Sequence, residues 1–208
     1  MNLRNSLVLF LAFLFTTSLA YSQGKETRPT KQGKPVVCAA SKEYNVGDKG
    51  PSGGWIIYKK PAATGQSTDT CWQYLEAAPA DVEGSKVWSN VTDKLIGTGT
   101  GIGDGKENTK KIIAQAGHKG SAAKACDDFI AKFDGKTFDD WFLPSKDELE
   151  LMYLTLQKNK KGNFKTDDWY WSSSEYGGSN AWSQGFFSGT QDYFIKYGDD
   201  NVRCARAF

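Results

Sequence analysis

The sequence predicts an α+β domain, in which helices from the middle of the chain pack against small antiparallel sheets. The first observation is the segment 169–208, which holds 11 of the chain's 28 aromatic residues and no proline. Short aromatic runs alternate there with Gly, Ser, Asn and Asp, a pattern typical of consecutive strands joined by tight turns. The second observation is a series of helix start and stop signals between residues 104 and 156. Together these observations predict mixed secondary structure.

The start of the chain has the pattern of a secretory signal peptide, residues 1–20. Arg4 precedes the unbroken apolar run Leu7–Phe15, and small residues follow up to Ala20. This run is too short to cross about 30 Å of hydrocarbon, which takes about 20 residues. The sequence therefore predicts an exported protein (periplasmic, on the outer surface or extracellular) with no transmembrane segment in the mature chain.

Charge and composition limit the classes of partner that the mature chain is expected to bind. Removal of residues 1–20 takes away Arg4 and leaves 25 basic and 24 acidic residues. A net charge near +1 argues against nucleic acid as a partner. Segment 21–43 is polar and lacks apolar periodicity, so it is predicted to be a flexible linker. Residues 44–208 then form one domain, long enough to bury a core.

Short strands are predicted at both ends of this domain. Trp55–Tyr58 follows a glycine-rich turn, and Trp72–Ala77 ends before Pro79. The aromatic runs of the last forty residues predict four more strands: Tyr170–Ser173, Ala181–Phe187, Tyr193–Tyr197 and Val202–Phe208.

Two helices are predicted after the first strands. Asp104 and Glu107 match a capping pair for the first helix, which should end at Gly117. The second helix is predicted over residues 121–134, because apolar residues recur there at helical spacing. Its buried stripe would consist of Ala122, Ala125, Cys126, Phe129, Ile130 and Phe133.

A third helix should follow the extended run Trp141–Pro144, since the residue before a proline is pushed out of the helical region. Ser145 and Glu148 match a capping box at its start. Its apolar side would carry Leu149, Met152, Tyr153 and Leu156.

The glycine-rich segment Gly97–Lys106 (GTGTGIGDGK) does not predict a nucleotide site. A phosphate-binding loop needs Ser or Thr after its Gly-Lys pair, whereas Glu107 stands there. Thr100 also occupies the position of the first glycine of that motif. The segment is predicted to be a loop packed closely against the body of the domain.

The titratable residues predict no reaction centre. His118 is the chain's one histidine and has no Gly-x-Ser-x-Gly motif to accompany it. Four Asp-Asp pairs are interpreted as solvated turns and helix surfaces, because neighbouring side chains point in different directions. The chain is therefore predicted not to be an enzyme. One loop, Asp199, Asp200 and Asn201, has oxygen ligands that could hold calcium, the one cofactor that the sequence leaves open.

Eight segments, in order from about Tyr44 to Phe208, resemble the Lcl C-terminal domain family of bacterial exported proteins. The segments are GPSGGWIIY, YLEAAPAD, IGTGTGIGDGKENT, AAKACDDF, DDWFLPSKDELELMY, YWSSSEY, NAW and VRCARAF. The resemblance implies a C-type-lectin-like fold, with two to three helices flanking a small antiparallel sheet, long loops and neighbouring termini. It implies that a ligand site lies in the loop-rich sheet region, but no activity. The calcium motifs usual in that superfamily, Glu-Pro-Asn and Trp-Asn-Asp, are absent.

The four cysteines of an exported chain are expected to be oxidised, and four cysteines allow three pairings. The C-type-lectin-like resemblance implies a disulfide between an early helix and the last strand, hence Cys126 with Cys204. Cys38 would then pair with Cys71. The distantly similar formylglycine-generating enzymes need two reactive thiols near the chain end, where this sequence has only Cys204.

The ligand site is predicted in the turns and on the outer face of the C-terminal sheet. Strand alternation assigns Trp171, Trp182, Phe186 and Val202 to the core. Tyrosine offers a flat apolar face with a hydroxyl, and Asn, Asp and Gln add directional hydrogen bonds. The predicted ligand-binding residues are Tyr176, Asn180, Gln191, Asp192, Tyr193, Tyr197, Asp199, Asp200 and Asn201. The alternative is that these residues form ordinary polar turns.

These observations predict a secreted, non-enzymatic binding module for adhesion at the bacterial cell envelope, recognising a glycan or a protein. Two alternatives stay open at this point: a metal-assisted envelope enzyme, and a purely structural envelope or matrix protein.

Overall fold

A computed structural model describes residues 42–61 and 72–208. The helices of this part are α1 (Gly105–Ile113), α2 (Ala122–Asp127) and α3 (Lys146–Thr155), the last followed by a 3₁₀ turn (Gln157–Asn159). The strands are β1 (Trp55–Lys59), β2 (Tyr74–Ala77), β3 (Lys86–Val87), β4 (Ala131–Phe133), β5 (Lys136–Phe138), β6 (Trp169–Glu175), β7 (Asn180–Gly185), β8 (Gln191–Ile195), β9 (Asp199–Asp200) and β10 (Ala205–Ala207). The predicted signal peptide and nearly all of the predicted linker lie outside the described residues. A few helices and several small antiparallel sheets agree with the predicted α+β class.

The two ends of the domain share one sheet, in the order β1–β2–β10. Ala77 of β2 lies opposite Trp55 on one side and opposite Ala205 on the other. All four side chains of β2 are buried. The ring of Tyr44 packs edge-to-face on Phe208, with 5.8 Å between the ring centroids. The start and the end of the domain therefore lie together, as the resemblance implies.

The central strand β2 contains a fully buried carboxylate, Glu76. It accepts hydrogen bonds from the Ser52 hydroxyl at 2.7 Å and the Gly54 amide at 3.0 Å, and Arg206 of β10 lies 3.3 Å away. Burial raises the pKa of Glu76, and the hydrogen bonds from Ser52 together with the charge of Arg206 oppose the rise. A Cβ on Gly54 would lie 2.0 Å from the Ala77 carbonyl oxygen, so this position of the GPSGG turn requires glycine.

Helix α1 is shorter than predicted and begins differently. It ends at Ile113 rather than at Gly117. Asp104 occupies the position before the helix but makes no side-chain capping hydrogen bond, because its carboxylate accepts from the Gly101 amide at 2.8 Å instead. The predicted capping pair of Asp104 and Glu107 is therefore wrong.

The predicted helix over residues 121–134 is wrong in its second half, where the chain forms the β4–β5 hairpin. Asp134 and Gly135 connect the two strands with positive φ angles of 50° and 70°. Those angles suit the two-residue hairpin turn that Asp-Gly favours. Two residues of the predicted buried stripe, Ile130 and Phe133, are consequently exposed by 58% and 49%.

Helix α3 begins as predicted. The Ser145 hydroxyl accepts from the Glu148 amide, and the Glu148 carboxylate accepts from the Ser145 amide, which completes the capping box. The extended segment before the helix joins the first sheet, since Phe142 and Ala205 exchange backbone hydrogen bonds of 2.8 and 2.9 Å. The buried apolar residues at this helix are Leu149, Met152 and Leu156.

The glycine-rich loop is packed against the body of the domain, as predicted. The side-chain amide of Asn108 in α1 pairs with the Gly99 backbone, accepting at 2.8 Å and donating at 2.7 Å. The Gly103 amide donates to the Glu148 carboxylate at 2.8 Å. Burial raises the pKa of Glu148 to about 7, against the effect of its backbone hydrogen bonds.

A disulfide joins Cys126 of α2 to Cys204, with 5.4 Å between the Cα atoms. Both residues are fully buried. The pairing that the resemblance implies is thus confirmed for these two cysteines. Cys38 and Cys71 lie outside the described residues.

The aromatic C-terminal segment forms a second antiparallel sheet, in the order β6–β7–β8. Trp171, Phe186 and Val202 are buried, as predicted. Trp182 is only half-buried, so its assignment to the core is wrong. Ala181, which precedes Trp182 in β7, packs in the core instead.

Candidate ligand-binding surface

Strand register divides the β6–β7–β8 sheet into two faces. Trp182 of β7 lies opposite Tyr193 of β8, and the next residue, Ser183, lies opposite Asp192. Because successive side chains of a strand point to opposite faces, the Trp182–Tyr193 pair and the Ser183–Asp192 pair belong to different faces. Predicted site residues therefore lie on both faces of the sheet.

The first face carries three clustered rings, Tyr176, Trp182 and Tyr193, which we call the aromatic platform. The Tyr176 and Tyr193 rings stack with 4.0 Å between centroids and 7° between planes. Trp182 meets Tyr176 edge-on at 5.1 Å, and the Lys146 ammonium lies 4.6 Å from the Trp182 ring centroid. Tyr176 and Tyr193 are 53% and 46% exposed. The platform is therefore an open aromatic surface with two hydroxyls.

A buried ion pair holds the turn that carries Tyr176. The Lys196 ammonium lies 2.7 Å from the carboxylate of Glu175, and both side chains are at most 1% exposed. The same carboxylate accepts from the backbone amides of Ile96 and Gly97, each at 3.0 Å. Glu175 therefore connects the platform, the strand end at β8 and the glycine-rich loop.

Polar side chains border the platform. The Gln191 amide donates to the Lys146 carbonyl at 3.1 Å, which joins β8 to the start of α3. The Gln184 amide donates to the Gly189 carbonyl at 3.2 Å and to the Glu150 carboxylate. These contacts hold the platform against α3 and leave polar groups at its edge.

The second face of the sheet holds a cleft of about 280 Å³. The cleft is lined by Trp169, Ser183, Asp192, Phe194 and Asp200, and Tyr193, whose ring belongs to the platform, also borders it from the edge strand β8. Phe194 is 43% exposed and stacks on the buried Trp171 at 5.9 Å. Trp169 packs edge-on against Phe187 at 5.5 Å. Aromatic rings and two carboxylates thus border one cavity.

Asp200 is the buried carboxylate of this cleft, with 9% of its surface exposed. The Ser183 hydroxyl donates to its Oδ2 atom at 2.5 Å. Burial raises the pKa of Asp200 to about 6; the Ser183 hydrogen bond opposes this, and the carboxylates of Asp168 and Asp199 reinforce it. A donor or a cation in the cleft would stabilise the ionised form.

The structure places the nine predicted ligand-binding residues in three environments. Tyr176, Asp192, Tyr193, Tyr197 and Asp199 are exposed, Asn180 and Gln191 are half-buried, and Asp200 and Asn201 are buried. The prediction that all nine remain outside the core is therefore wrong for the last two. Asp200 is buried because β9 pairs with β3, and its remaining exposed surface lines the cleft.

Asn201 has a structural role instead of the predicted exposure. Its side-chain amide donates to the Trp169 carbonyl at 3.1 Å and accepts from the Lys165 ammonium at 2.6 Å. Its backbone amide also donates to the Trp169 carbonyl, at 3.0 Å. These contacts attach the segment after β9 to strand β6.

Sequence reasoning missed several residues of both faces: Trp169, Phe194 and Ser183 in the cleft, and Trp182 and Lys146 at the platform. The alternation of large and small side chains along β7 could have identified some of these residues. Small residues at 181 and 183 leave room for Trp171, which lies opposite Ser183, so Trp182 must point away from it. Trp169 then shares the face of Trp171 and the cleft.

Most aspartates of the four Asp-Asp pairs lie at the surface, as predicted. Asp140 is an exception in addition to Asp200, because its carboxylate accepts from the Arg206 guanidinium at 2.7 and 3.0 Å. His118 lies with its Nε2 atom 2.9 Å from the Ser121 hydroxyl.

Within residues 42–61 and 72–208, no three His, Cys, Asp or Glu side chains are grouped so that they could hold a metal ion. Calcium binding at Asp199, Asp200 and Asn201 stays a prediction. In the same part of the chain, no helix combines the length and apolarity needed to span a membrane.

No model of a known protein family matches the chain. No curated protein sequence matches it significantly either. The resemblance to the Lcl C-terminal domain family and to C-type-lectin-like domains stays a prediction.

Proposed function

We propose that the protein is an exported, non-enzymatic module that binds a carbohydrate through the β6–β7–β8 sheet. The distribution of exposed aromatic residues carries this proposal. Among the described residues, eleven large apolar side chains are exposed, and the five between positions 176 and 197 are all aromatic. They are Tyr176, Phe187, Tyr193, Phe194 and Tyr197. Of the other six, only Phe133 is aromatic.

The concentration of rings on one sheet favours a binding role over ordinary turns. Exposed apolar surface is unfavourable in water, and where it is contiguous, as in the platform of Tyr176, Trp182 and Tyr193, it marks interaction sites on soluble proteins. Ligand binding to the platform should cost little side-chain entropy, because the Tyr176 and Tyr193 rings are already stacked at 4.0 Å.

A carbohydrate suits this surface better than an extended apolar partner does. A sugar ring has apolar C–H faces that pack on aromatic rings, and hydroxyls around its edge that need hydrogen-bond partners. The sheet supplies both kinds of group, since Gln191 and Asn180 border the platform and Asp192 lines the cleft.

A glycan array with residues 21–208, run with calcium and with a chelator, tests the proposal. We expect a defined set of glycans to bind, and the chelator arm decides whether calcium takes part. The Tyr176→Ala and Tyr193→Ala double variant should lose this binding. Phe133→Ala is the matched control, because it removes an exposed ring from the β4–β5 hairpin.

Binding should be unchanged in this control, and circular dichroism should show the same melting temperature for both variants within a few degrees. Absence of any bound glycan, or undiminished binding by the double variant, would refute the proposed function.

A further inference from the structure

We propose that the cleft on the second face of the sheet binds the ammonium group of an amino sugar, because the rings of Trp169 and Phe194 and the carboxylates of Asp192 and Asp200 border one cavity. This inference rests on the proposed function and names the chemical class of one sugar unit in the bound glycan.

The lining of the cleft matches the chemistry of an organic cation. Aromatic faces attract an ammonium group, and the attraction grows when the cation is removed from water. A carboxylate adds a charge-assisted hydrogen bond. The six lining residues include two acids and no base. A neutral or anionic group would leave these carboxylates without a partner of opposite charge.

Asp200 has the capacity to accept such a ligand. Its one side-chain hydrogen bond with a described residue comes from Ser183 and ends on Oδ2. The Oδ1 atom is therefore left for a ligand in the cleft that this residue lines.

The charges around the cleft reinforce its preference for cations. Asp168 and Asp199 lie close enough to raise the pKa of Asp200. The Lys165 ammonium is engaged elsewhere, 2.6 Å from the Asn201 side-chain oxygen and 3.8 Å from Asp168. The Lys86 ammonium donates to carbonyls of its own turn, at Glu83 and Gly84. No lysine among the described residues therefore neutralises Asp200 directly.

The size of the cleft favours a sugar over the side chain of a basic peptide. A volume of about 280 Å³ lies just below the range of roughly 300–1,000 Å³ typical of drug-sized ligands. One pyranose ring with an amino group would occupy much of it. A lysine side chain presents a compact charge on a narrow stem and would leave most of the volume unfilled.

Calorimetric titration with four hexamers tests the inference: glucosamine, N-acetylglucosamine, β-1,4-linked glucose and lysine. We expect the glucosamine hexamer to bind about tenfold tighter than the acetylated and glucose hexamers, as is typical of a hydrogen bond to a charged group. Asp192→Asn and Asp200→Asn should each reduce the affinity for the glucosamine hexamer to about that of the neutral hexamers. Asp127→Asn, an exposed acid on α2, is the matched control and should leave it unchanged.

The pH dependence is a second readout. Asp200 must be ionised to attract the ammonium group, so affinity for the glucosamine hexamer should fall as pH decreases through about 6, while the ligand stays cationic. In Asp200→Asn the affinity for the glucosamine hexamer should no longer fall as pH decreases through about 6. A variant that had merely lost its fold would instead lose binding at every pH and melt at a lower temperature.

Three results would overturn the inference. Equal affinities for the three sugar hexamers would show that charge is not recognised, and would leave the proposed function standing. No binding of any sugar hexamer would remove the inference, while the glycan array judges the proposed function separately. Tighter binding of hexalysine, abolished by Asp192→Asn, would identify a basic peptide as the source of the ammonium group.

Discussion

Removal of the Glu175 charge should destabilise the domain strongly. In Glu175→Gln the Lys196 ammonium stays buried and keeps the Lys94 carbonyl at 2.8 Å and the Trp88 ring at 4.6 Å, but loses its counter-ion at 2.7 Å. Breaking one partner of a buried pair typically costs about 3–5 kcal/mol. The amides of Ile96 and Gly97 also lose their charged acceptor, so a loss near the upper end, about 4–5 kcal/mol, is expected.

Lys196→Met should cost less, about 3 kcal/mol, because the Glu175 carboxylate keeps its backbone donors. The double variant should be more stable than the sum of the single losses implies, since no unpaired charge is left. Glu107→Gln breaks an exposed pair of 3.4 Å with Lys110 and serves as the control, with an expected change below about 0.5 kcal/mol.

Urea unfolding followed by tryptophan fluorescence measures these changes, because each free energy follows from the midpoint and the slope of the transition. A loss under 1 kcal/mol in Glu175→Gln, or simple additivity in the double variant, would contradict the ascribed role of the pair.

Two further predictions concern the fold. Gly54→Ala should destabilise the domain by about 2 kcal/mol or more, because the new Cβ would lie 2.0 Å from a carbonyl oxygen of β2. Gly120→Ala is the control in the same urea experiment and should be nearly neutral, since its Cβ would meet no atom within 4 Å. Glu148 has a folded-state pKa of about 7, above its ordinary value of 4.5, so the folded state binds its proton more tightly than the unfolded state. Its contribution to the free energy of unfolding is therefore largest below pH 4.5 and decreases by about 3 kcal/mol between pH 4.5 and 7. Glu148→Gln should flatten this part of the stability profile, and an unchanged profile would show that another group causes the dependence.

Elements with strong local signals were predictable from the sequence. The capping box of α3 lies within four consecutive residues, Ser145 to Glu148, and forms as predicted. The C-terminal strands are marked by aromatic runs between turn residues, and they differ from the prediction mainly at their ends. Both signals act over a few residues, so the rest of the fold hardly affects them.

The second half of the predicted helix 121–134 failed because two local patterns compete there. Apolar residues recur at helical spacing, but Asp134-Gly135 between short apolar runs is also a strong hairpin signal. The chain follows the hairpin signal, and a Cβ on Gly53 would lie 2.6 Å from the Phe133 ring. Phe133 thus packs over the turn before β1, a contact that no local pattern contains.

The candidate site was only partly predictable for a related reason. Tyr176 and Tyr193 could be identified from composition and turn position. The burial of Asp200 depends on pairing between β9 and β3, more than a hundred residues apart, and the Glu175–Lys196 pair depends on a turn that the hydrophobic pattern does not specify. Long-range pairing of this kind leaves no trace in a short window of sequence.

A crystal structure of the protein with an oligosaccharide selected by the glycan array would locate the ligand-binding surface directly. We expect a sugar ring in contact with Tyr176 or Tyr193, or in the cleft beside Trp169 and Asp200. An oligosaccharide bound elsewhere on the domain, for example at the β4–β5 hairpin, with the β6–β7–β8 sheet free of ligand, would contradict the proposed function.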